Sequence, residues 1–356
     1  MADSGSSGEQ RSASGAQHSR PGAPRVLVAG ATGFAGALAA HLLWRHPGFE
    51  LVGITGRSET GRRLEDLYPR YRVPLEIQPL HLDGLEQIDA AIVAYPHAAA
   101  APTVAALLDR GARVIDLSAD FRLSDLATYE HWYGQHPRPD LLAQAVYGLT
   151  ELHRERIASA RIVANPGCYP TAAVLGLAPL ARAGLIADVV IDAKQGLSGA
   201  GRTFDDTTHL SMAGENITPY KVAQHRHTPE IEQQLNDLDP AHPDLPVQFQ
   251  AHLVPLDQGE LASCYVTPPR AVAARELAQL YHGAYAEEPF VEVVDAPPGV
   301  REVRETNFCR LFAAADEHTG KVLIFSAIDN LWKGTSSQAI QNLNLMFGQP
   351  ETAGLT

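Results

Sequence analysis

The segment Asn165-Pro-Gly-Cys168-Tyr-Pro-Thr171 sets a cysteine between turn-forming residues and a run, Tyr169 to Ala183, of helical character. A thiol at a helix N-terminus meets unpaired N–H groups and the positive end of the helix dipole, both of which favour a thiolate. The same amides can hold the oxyanion of an attacked carbonyl. A free cysteine is more commonly a buried structural residue, but Pro166, Gly167 and Pro170 describe a shaped loop. Cys168 is therefore the candidate nucleophile. Cys264, inside a strand-like run, and Cys309 read as structural. A nucleophile needs a proton partner, and His225-Arg226-His227-Thr228-Pro229-Glu230 offers two imidazoles, a guanidinium and a carboxylate within six residues. Imidazole titrates near neutrality. Pro229 suits the first turn of a helix, which leaves the histidines on the preceding loop. His225, His227 and Glu230 could also ligate a metal or simply sit on the surface. No cysteine or further histidine stands at a useful spacing, so no metal is expected.

A second chemistry is written in Gly30-Ala-Thr32-Gly33-Phe34-Ala-Gly36, which follows the apolar run Arg25 to Ala29 and precedes a helical stretch, Ala37 to Arg45. Strand, glycine turn and helix in that order bring backbone amides and a helix N-terminus to a dinucleotide pyrophosphate. The spacing is G-x-x-G-x-x-G, and such punctuation can also mark only a tight turn. The next strand-like run, Leu51 to Thr55, ends Gly56-Arg57-Ser58 where NAD sites carry an acidic residue. A guanidinium and a hydroxyl suit a 2′-phosphate, so NADP(H) is the expected cofactor, while Glu59 keeps NAD open. Ser198-Gly199-Ala-Gly201-Arg202 is a flexible turn able to wrap a nicotinamide or a phosphate. Arg122, in Asp116-Leu-Ser-Ala-Asp-Phe-Arg122, follows a strand and could clamp an anion or close a salt bridge within its loop.

The elements that must position these groups alternate in the first half. Strand-like runs at Ala90 to Ala94 and Arg113 to Leu117 flank a helical stretch from Ala98 to Arg110. Strands alternating with helices imply a doubly wound parallel sheet, a Rossmann-like α/β domain over residues 25–165. Beyond Cys168 the strand-like runs Val189 to Ala193, Val247 to Val254, Ser263 to Thr267 and Lys321 to Ala327 are separated by longer irregular stretches. This predicts an α+β catalytic or dimerisation domain, residues 166–334, with a mixed or antiparallel sheet. A last helical pattern, Gln338 to Phe347, follows. Residues 1–24 are rich in Gly, Ser and Ala and read as a disordered extension without the apolar core of a signal peptide.

A formal charge of −13 argues against a nucleic-acid or anionic-membrane binder. No apolar run approaches the roughly 20 residues that span a bilayer. Three widely separated cysteines suggest free thiols in a reducing cytoplasm.

Taken together, the glycine loop, the Asp116–Arg122, Asn165–Thr171 and Ser198–Arg202 segments, Pro219-Tyr-Lys-Val222, the His225–Ile231 segment and Ser326-Ala-Ile-Asp-Asn-Leu-Trp-Lys-Gly334 resemble the N-acetyl-γ-glutamyl-phosphate reductases, within the semialdehyde dehydrogenase superfamily. The resemblance runs from about Arg25 to Gly348. It implies NADPH-dependent reduction of an acyl phosphate to an aldehyde, in arginine biosynthesis, through a thioester on Cys168. One histidine, His225 in preference to His227, would be the acid–base. Arg122, Asn165, Arg226 and Glu230 would meet substrate, and Asn330 and the Lys333-Gly334 turn would approach the cofactor. The resemblance further implies a last helix, 335–350, packed back on the first domain, and a homodimer or homotetramer. Two other readings stand beside it: an aminoadipate phosphate reductase acting on a carrier protein in lysine biosynthesis, and a cysteine–histidine hydrolase or acyltransferase without redox chemistry.

Overall fold

The computed structural model describes residues 22–81, 87–203 and 206–356, so most of the N-terminal extension expected to be disordered lies outside the described residues. The chain begins with β1 (Arg25–Ala29), α1 (Phe34–Arg45), β2 (Glu50–Thr55), α2 (Leu64–Leu67), β3 (Ile77–Gln78), β4 (Ala90–Val93), α3 (Ala101–Asp109) and β5 (Arg113–Asp116). It continues with α4 (Leu126–Tyr133), β6 (Ala145–Tyr147), α5 (Thr150–Ser159) and β7 (Ile162–Ala164). These seven strands form one sheet in the order β3-β2-β1-β4-β5-β7-β6. All its pairings are parallel. Val26 to Ala29 and Ala90 to Val93 are apolar throughout and fully buried, as strands covered on both faces must be.

The second sheet is built from β8 (Asp188–Gly196), β9 (Thr218–Tyr220), β10 (Val247–Val254), β11 (Glu260–Thr267), β12 (Val291–Val293), β13 (Cys309–Asp316) and β14 (Lys321–Ile328). Its order is β12-β13-β14-β11-β8-β10-β9. It is mixed: β8 pairs parallel with β10 and antiparallel with β11. Four helices accompany it: α6 (Cys168–Arg182), α7 (Leu210–Ala213), α8 (Thr228–Leu238) and α9 (Ala274–Tyr285). The alternation expected for a two-sided sheet appears in β10, whose burial alternates along its length, whereas the stretch from Gly196 to Pro219 holds only short helical turns, α7 and the start of β9.

The last helix, α10 (Ser337–Met346), buries Ile340, Leu343 and Met346 with Leu38 and Leu43 of α1 in the core of the first sheet. A buried ion pair ties the turn before it to the same body. Lys333 Nζ lies 2.6 Å from Glu151 Oε1 of α5, and Gln341 Oε1 accepts a second bond at 2.8 Å. Burial opposes the Glu151 charge, but the Lys333 ammonium holds its carboxyl below the usual range. Among the described residues no helix is long and apolar enough to cross a membrane.

Removing one member of this pair strands the other charge in the interior. Glu151→Gln should cost about 3–5 kcal/mol of stability, read as a drop in denaturant midpoint at unchanged slope. A loss within experimental error would mean that Lys333 finds water or another partner.

Candidate active site

Two cavities lie along the C-terminal edge of the first sheet. One, about 510 Å³, is bordered by Gly30, Thr32, Gly33, Arg57, Ser58 and Arg202. The other, about 530 Å³, holds Cys168, Arg122, His225, Arg226, His227 and Gly199. Tyr95 and Pro96, just beyond β4, line both. The glycine loop and the cysteine therefore open onto adjoining spaces that share a wall.

The first cavity suits a dinucleotide phosphate. Gly30 has φ +98°, and a Cβ there would stand 2.6 Å from the Ala94 carbonyl oxygen. At Gly36 a Cβ would meet the Gly30 carbonyl oxygen at 2.2 Å, so this glycine lets α1 pack against the turn. Gly33 begins α1 with no side-chain cap, and a Cβ there would meet nothing within 4 Å. The first N–H groups of a 12-residue helix thus lack a side-chain acceptor beside open space, which is how proteins bind phosphate. Arg57 lies over the Tyr95 ring at 5.1 Å. Glu59, the residue that kept an NAD-type contact open, is engaged by Arg62 at 2.8 Å and Arg202 at 3.2 Å.

Phe34, Ser198 and Asn330, like Gly36, are not among the residues that border this cavity. Phe34 packs edge-on against Tyr68, with ring centroids 6.3 Å apart. Asn330 accepts from the Gly259 N–H at 2.8 Å and donates to Ser198 Oγ at 3.0 Å, while Ser198 donates to the Asp257 carbonyl at 2.6 Å. Both are buried. They fix the loop that carries Gly199, and the short polar side chains that do so looked in sequence like ligand contacts.

Cys168 is the first residue of α6, preceded by Gly167 in extended conformation. Pro170 fits that first turn because its missing N–H would have no intrahelical partner. Gly334 packs against the cysteine so closely that a Cβ there would stand 2.8 Å from Cys168 Cβ. Gln195 Nε2 donates to Sγ at 2.9 Å. Burial pushes the Cys168 thiol up and the nearby Glu260 carboxylate pushes it further, while Gln195 and the Tyr169 N–H at the helix mouth act the other way.

Arg122 is buried and fixed by three acceptors: Asn165 O and Leu117 O, both at 2.8 Å, and Glu230 Oε2 at 3.4 Å. It still borders the second cavity. The ion pair of Arg122 is with Glu230 of α8 and not within its own loop. Glu230 Oε1 also accepts from the Gly167 N–H at 2.9 Å and Tyr147 Oη at 2.8 Å. Asn165 donates to Thr335 O at 3.0 Å and accepts from Asn342 at 3.1 Å. Asn165 and Glu230 therefore spend their polar atoms on the framework, and the expectation that they meet substrate is corrected.

His227 reaches the helix mouth: a Cβ on Gly167 would lie 2.5 Å from its Nε2 and 2.9 Å from Arg122 Nη1. His225 Nε2 faces Tyr220 Oη at 3.4 Å. Burial, with His227 and Lys221 adding, pushes His225 down to about 2. Burial and the Arg122 charge hold His227 well below its usual value. Both rings are neutral at physiological pH, and no group of three metal-capable side chains occurs among the described residues. Arg226 stacks over Tyr133 at 5.1 Å and meets His97 Nε2 at 2.7 Å. Tyr95, His97, Tyr133 and Gln195 escaped the sequence reading because single aromatic or amide residues carry no spacing signal.

Residues 25–160 match the family model of the semialdehyde dehydrogenase NAD binding domain, and residues 168–330 that of the semialdehyde dehydrogenase dimerisation domain. N-acetyl-γ-glutamyl-phosphate reductase of Desulforudis audaxviator is 48% identical over 341 residues, covering 93% of this chain and 97% of the relative. The protein of that name from Moorella thermoacetica is 47% identical, covering 92% and 96%. In fold the chain is similar to aspartate semialdehyde dehydrogenase II of Vibrio cholerae complexed with ASA, with TM-score 0.69, 18% identity and 92% and 98% coverage. It is likewise similar to aspartate semialdehyde dehydrogenase with NADP from Candida albicans, with TM-score 0.68, 14% identity and 91% and 98% coverage. Cysteine turn and histidine segment thus meet in one cavity, the glycine loop borders the one beside it, and by these matches the chain belongs to the N-acetyl-γ-glutamyl-phosphate reductase family of semialdehyde dehydrogenases.

Proposed function

We propose that this chain reduces N-acetyl-L-glutamyl 5-phosphate to N-acetyl-L-glutamate 5-semialdehyde and phosphate, with NADP(H) as cofactor, in arginine biosynthesis. The observation that carries this reading is the placement of Cys168 on a cavity that shares the wall of Tyr95 and Pro96 with the glycine-loop cavity. Gly30, Thr32, Gly33, Arg57 and Ser58 would hold the dinucleotide, with Arg57 and Arg202 as the cations for its phosphates. The dinucleotide, when bound, supplies the hydride that takes the acyl group to the aldehyde level.

The chain's own residues do the rest. Cys168 attacks the acyl carbon, the carbon–oxygen bond to phosphate breaks, and the acyl group is held as a thioester. Arg122, with Arg226 and Lys221 at the rim, receives the phosphate. The α6 amides and Gln195 face the developing negative charge. His225, with His227 beside it, exchanges protons with the leaving phosphate and the carbonyl oxygen. Burial and neighbouring cations hold both rings neutral, and an arriving anion offsets those cations and raises their basicity. The free thiol re-forms when the aldehyde leaves.

The names of the relatives favour this substrate over a carrier-bound aminoadipate phosphate. The glycine-loop cavity favours redox chemistry over hydrolysis or acyl transfer. A homo-oligomer and a cytoplasmic location complete the proposal, in keeping with the dimerisation-domain match.

Three outcomes test it. Reverse-direction assays on N-acetylglutamate semialdehyde and phosphate should show absorbance change with NADP and less with NAD, and Arg57→Ala should lose about 1 kcal/mol or more of that preference. Cys168→Ser should keep dinucleotide binding and lose nearly all turnover, whereas undiminished turnover would remove the thioester. Gly167→Ala should displace His227 and Arg122 and lower kcat/KM by about 10²-fold, in line with misplacements near 1 Å. Wild-type kinetics in that variant would show that neither side chain needs its present place.

A further inference from the structure

In the antiparallel pair of β8 and β11, Gln195 stands directly opposite Glu260. Directly opposed residues project to the same face of a sheet, and Gln195 on that face reaches the Cys168 sulfur. Gln195 Nε2 donates to Sγ at 2.9 Å, so the thiol lies over the face from which the Glu260 carboxylate also projects. Glu260 is fully buried, and neither of its oxygens receives a well-directed hydrogen bond among the described residues. A buried carboxylate given no donor is costly to keep. The Cys168 thiol, set over the same face by Gln195, is the proton source that the register offers it.

We propose that Glu260 is a catalytic residue, the proton acceptor for Cys168. This role rests on Cys168 being the nucleophile. As the S–H bond breaks, its proton passes to a Glu260 oxygen and the sulfur electron pair forms the bond to the acyl carbon. The acyl carbon–oxygen bond breaks, and its pair leaves with phosphate. When the aldehyde departs, the C–S pair returns to sulfur, which takes its proton back from Glu260, so the carboxylate is unchanged over a cycle. The histidines, which contact Tyr169 and Tyr220, are left to serve the phosphate and carbonyl oxygens.

The groups facing Glu260 are Cys168 and Tyr169 of α6, Tyr220 of β9, Cys309 of β13 and Asp329 after β14. Burial, with Asp329 adding, pushes Glu260 up to about 8. That brings the acceptor nearer to the raised thiol than an ordinary carboxylate would be, and matched partners transfer a proton more readily. The competent, ionised acid therefore appears as pH rises through about 8.

The test is alkylation of the full chain by iodoacetamide from about pH 6 to about pH 10, scored by mass spectrometry on the Cys168 peptide. Wild-type labelling should rise with a midpoint near 8. In Glu260→Gln the rate at that pH should fall at least about 10-fold, with the midpoint moved up by about one unit or more. Glu260→Asp, which keeps the acid one methylene shorter, should keep the low midpoint at reduced rate. Labelling of Glu260→Gln that is as fast as wild type, or faster at neutral pH, would overturn the proposal, because only a charge burden on the thiol would then have been removed. Should Glu260→Gln fail to fold, a Glu260→Asp midpoint that climbs as predicted for the amide would overturn it equally. Undiminished turnover in Cys168→Ser would sink the thioester reading instead, a failure that the labelling result cannot mimic.

Discussion

The site hangs on the Glu230 carboxylate. This one buried group takes the Gly167 N–H ahead of the nucleophile turn, the Tyr147 hydroxyl at the edge of the first sheet, and the Arg122 guanidinium. It is carried by α8, which packs with the second sheet, so three segments of the cleft are tied together by a side chain that never enters it. A charge sealed from water is tolerable only when its lone pairs are taken, and here that demand itself brings Arg122 to the mouth of α6. The same logic recurs at Lys333 and Glu151, where a buried pair fastens the turn after β14 to the first body.

Around this frame the chemistry is divided between two kinds of surroundings. The glycine-loop cavity offers backbone amides and exposed guanidinium groups, which suit a large anionic cofactor. The cysteine cavity is more closed and carries the cations Arg122, Lys221 and Arg226, while burial works against charge on the thiol and imidazoles among them. His225, His227, Cys168 and Glu260 are each shifted against charge. An anionic ligand offsets the cations that depress the two imidazoles, and so acts on the histidines of this site.

Much of this was legible in the sequence. The run Arg25 to Ala29 and the glycines after it announced a strand, turn and helix because buried parallel strands are apolar throughout and a βα phosphate turn needs small residues. The helix after Cys168 was legible as the run Tyr169 to Ala183, within a residue of its bounds at either end. What stayed hidden shares a physical cause. Asn165, Ser198, Asn330 and Glu230 are polar residues near chemical motifs, and sequence does not distinguish a polar group that faces ligand from one that satisfies buried backbone. Glu260 went unnoticed for the opposite reason: a carboxylate at the start of a strand reads as a solvated side chain, and only the register with Gln195 shows it turned inward. The edge strands β3, β6 and β9 are too short to carry a period.

Tyr95 belongs to both cavities, and Arg57 rests on its ring. An occupant that draws Arg57 away alters the environment of a tyrosine that also lines the cysteine cavity. Linkage makes such an influence mutual: whatever factor the first guest imposes on the second's affinity, the second returns in equal measure. A wall held in common thus lets each guest alter the other's hold on the protein beyond whatever contact the two make directly.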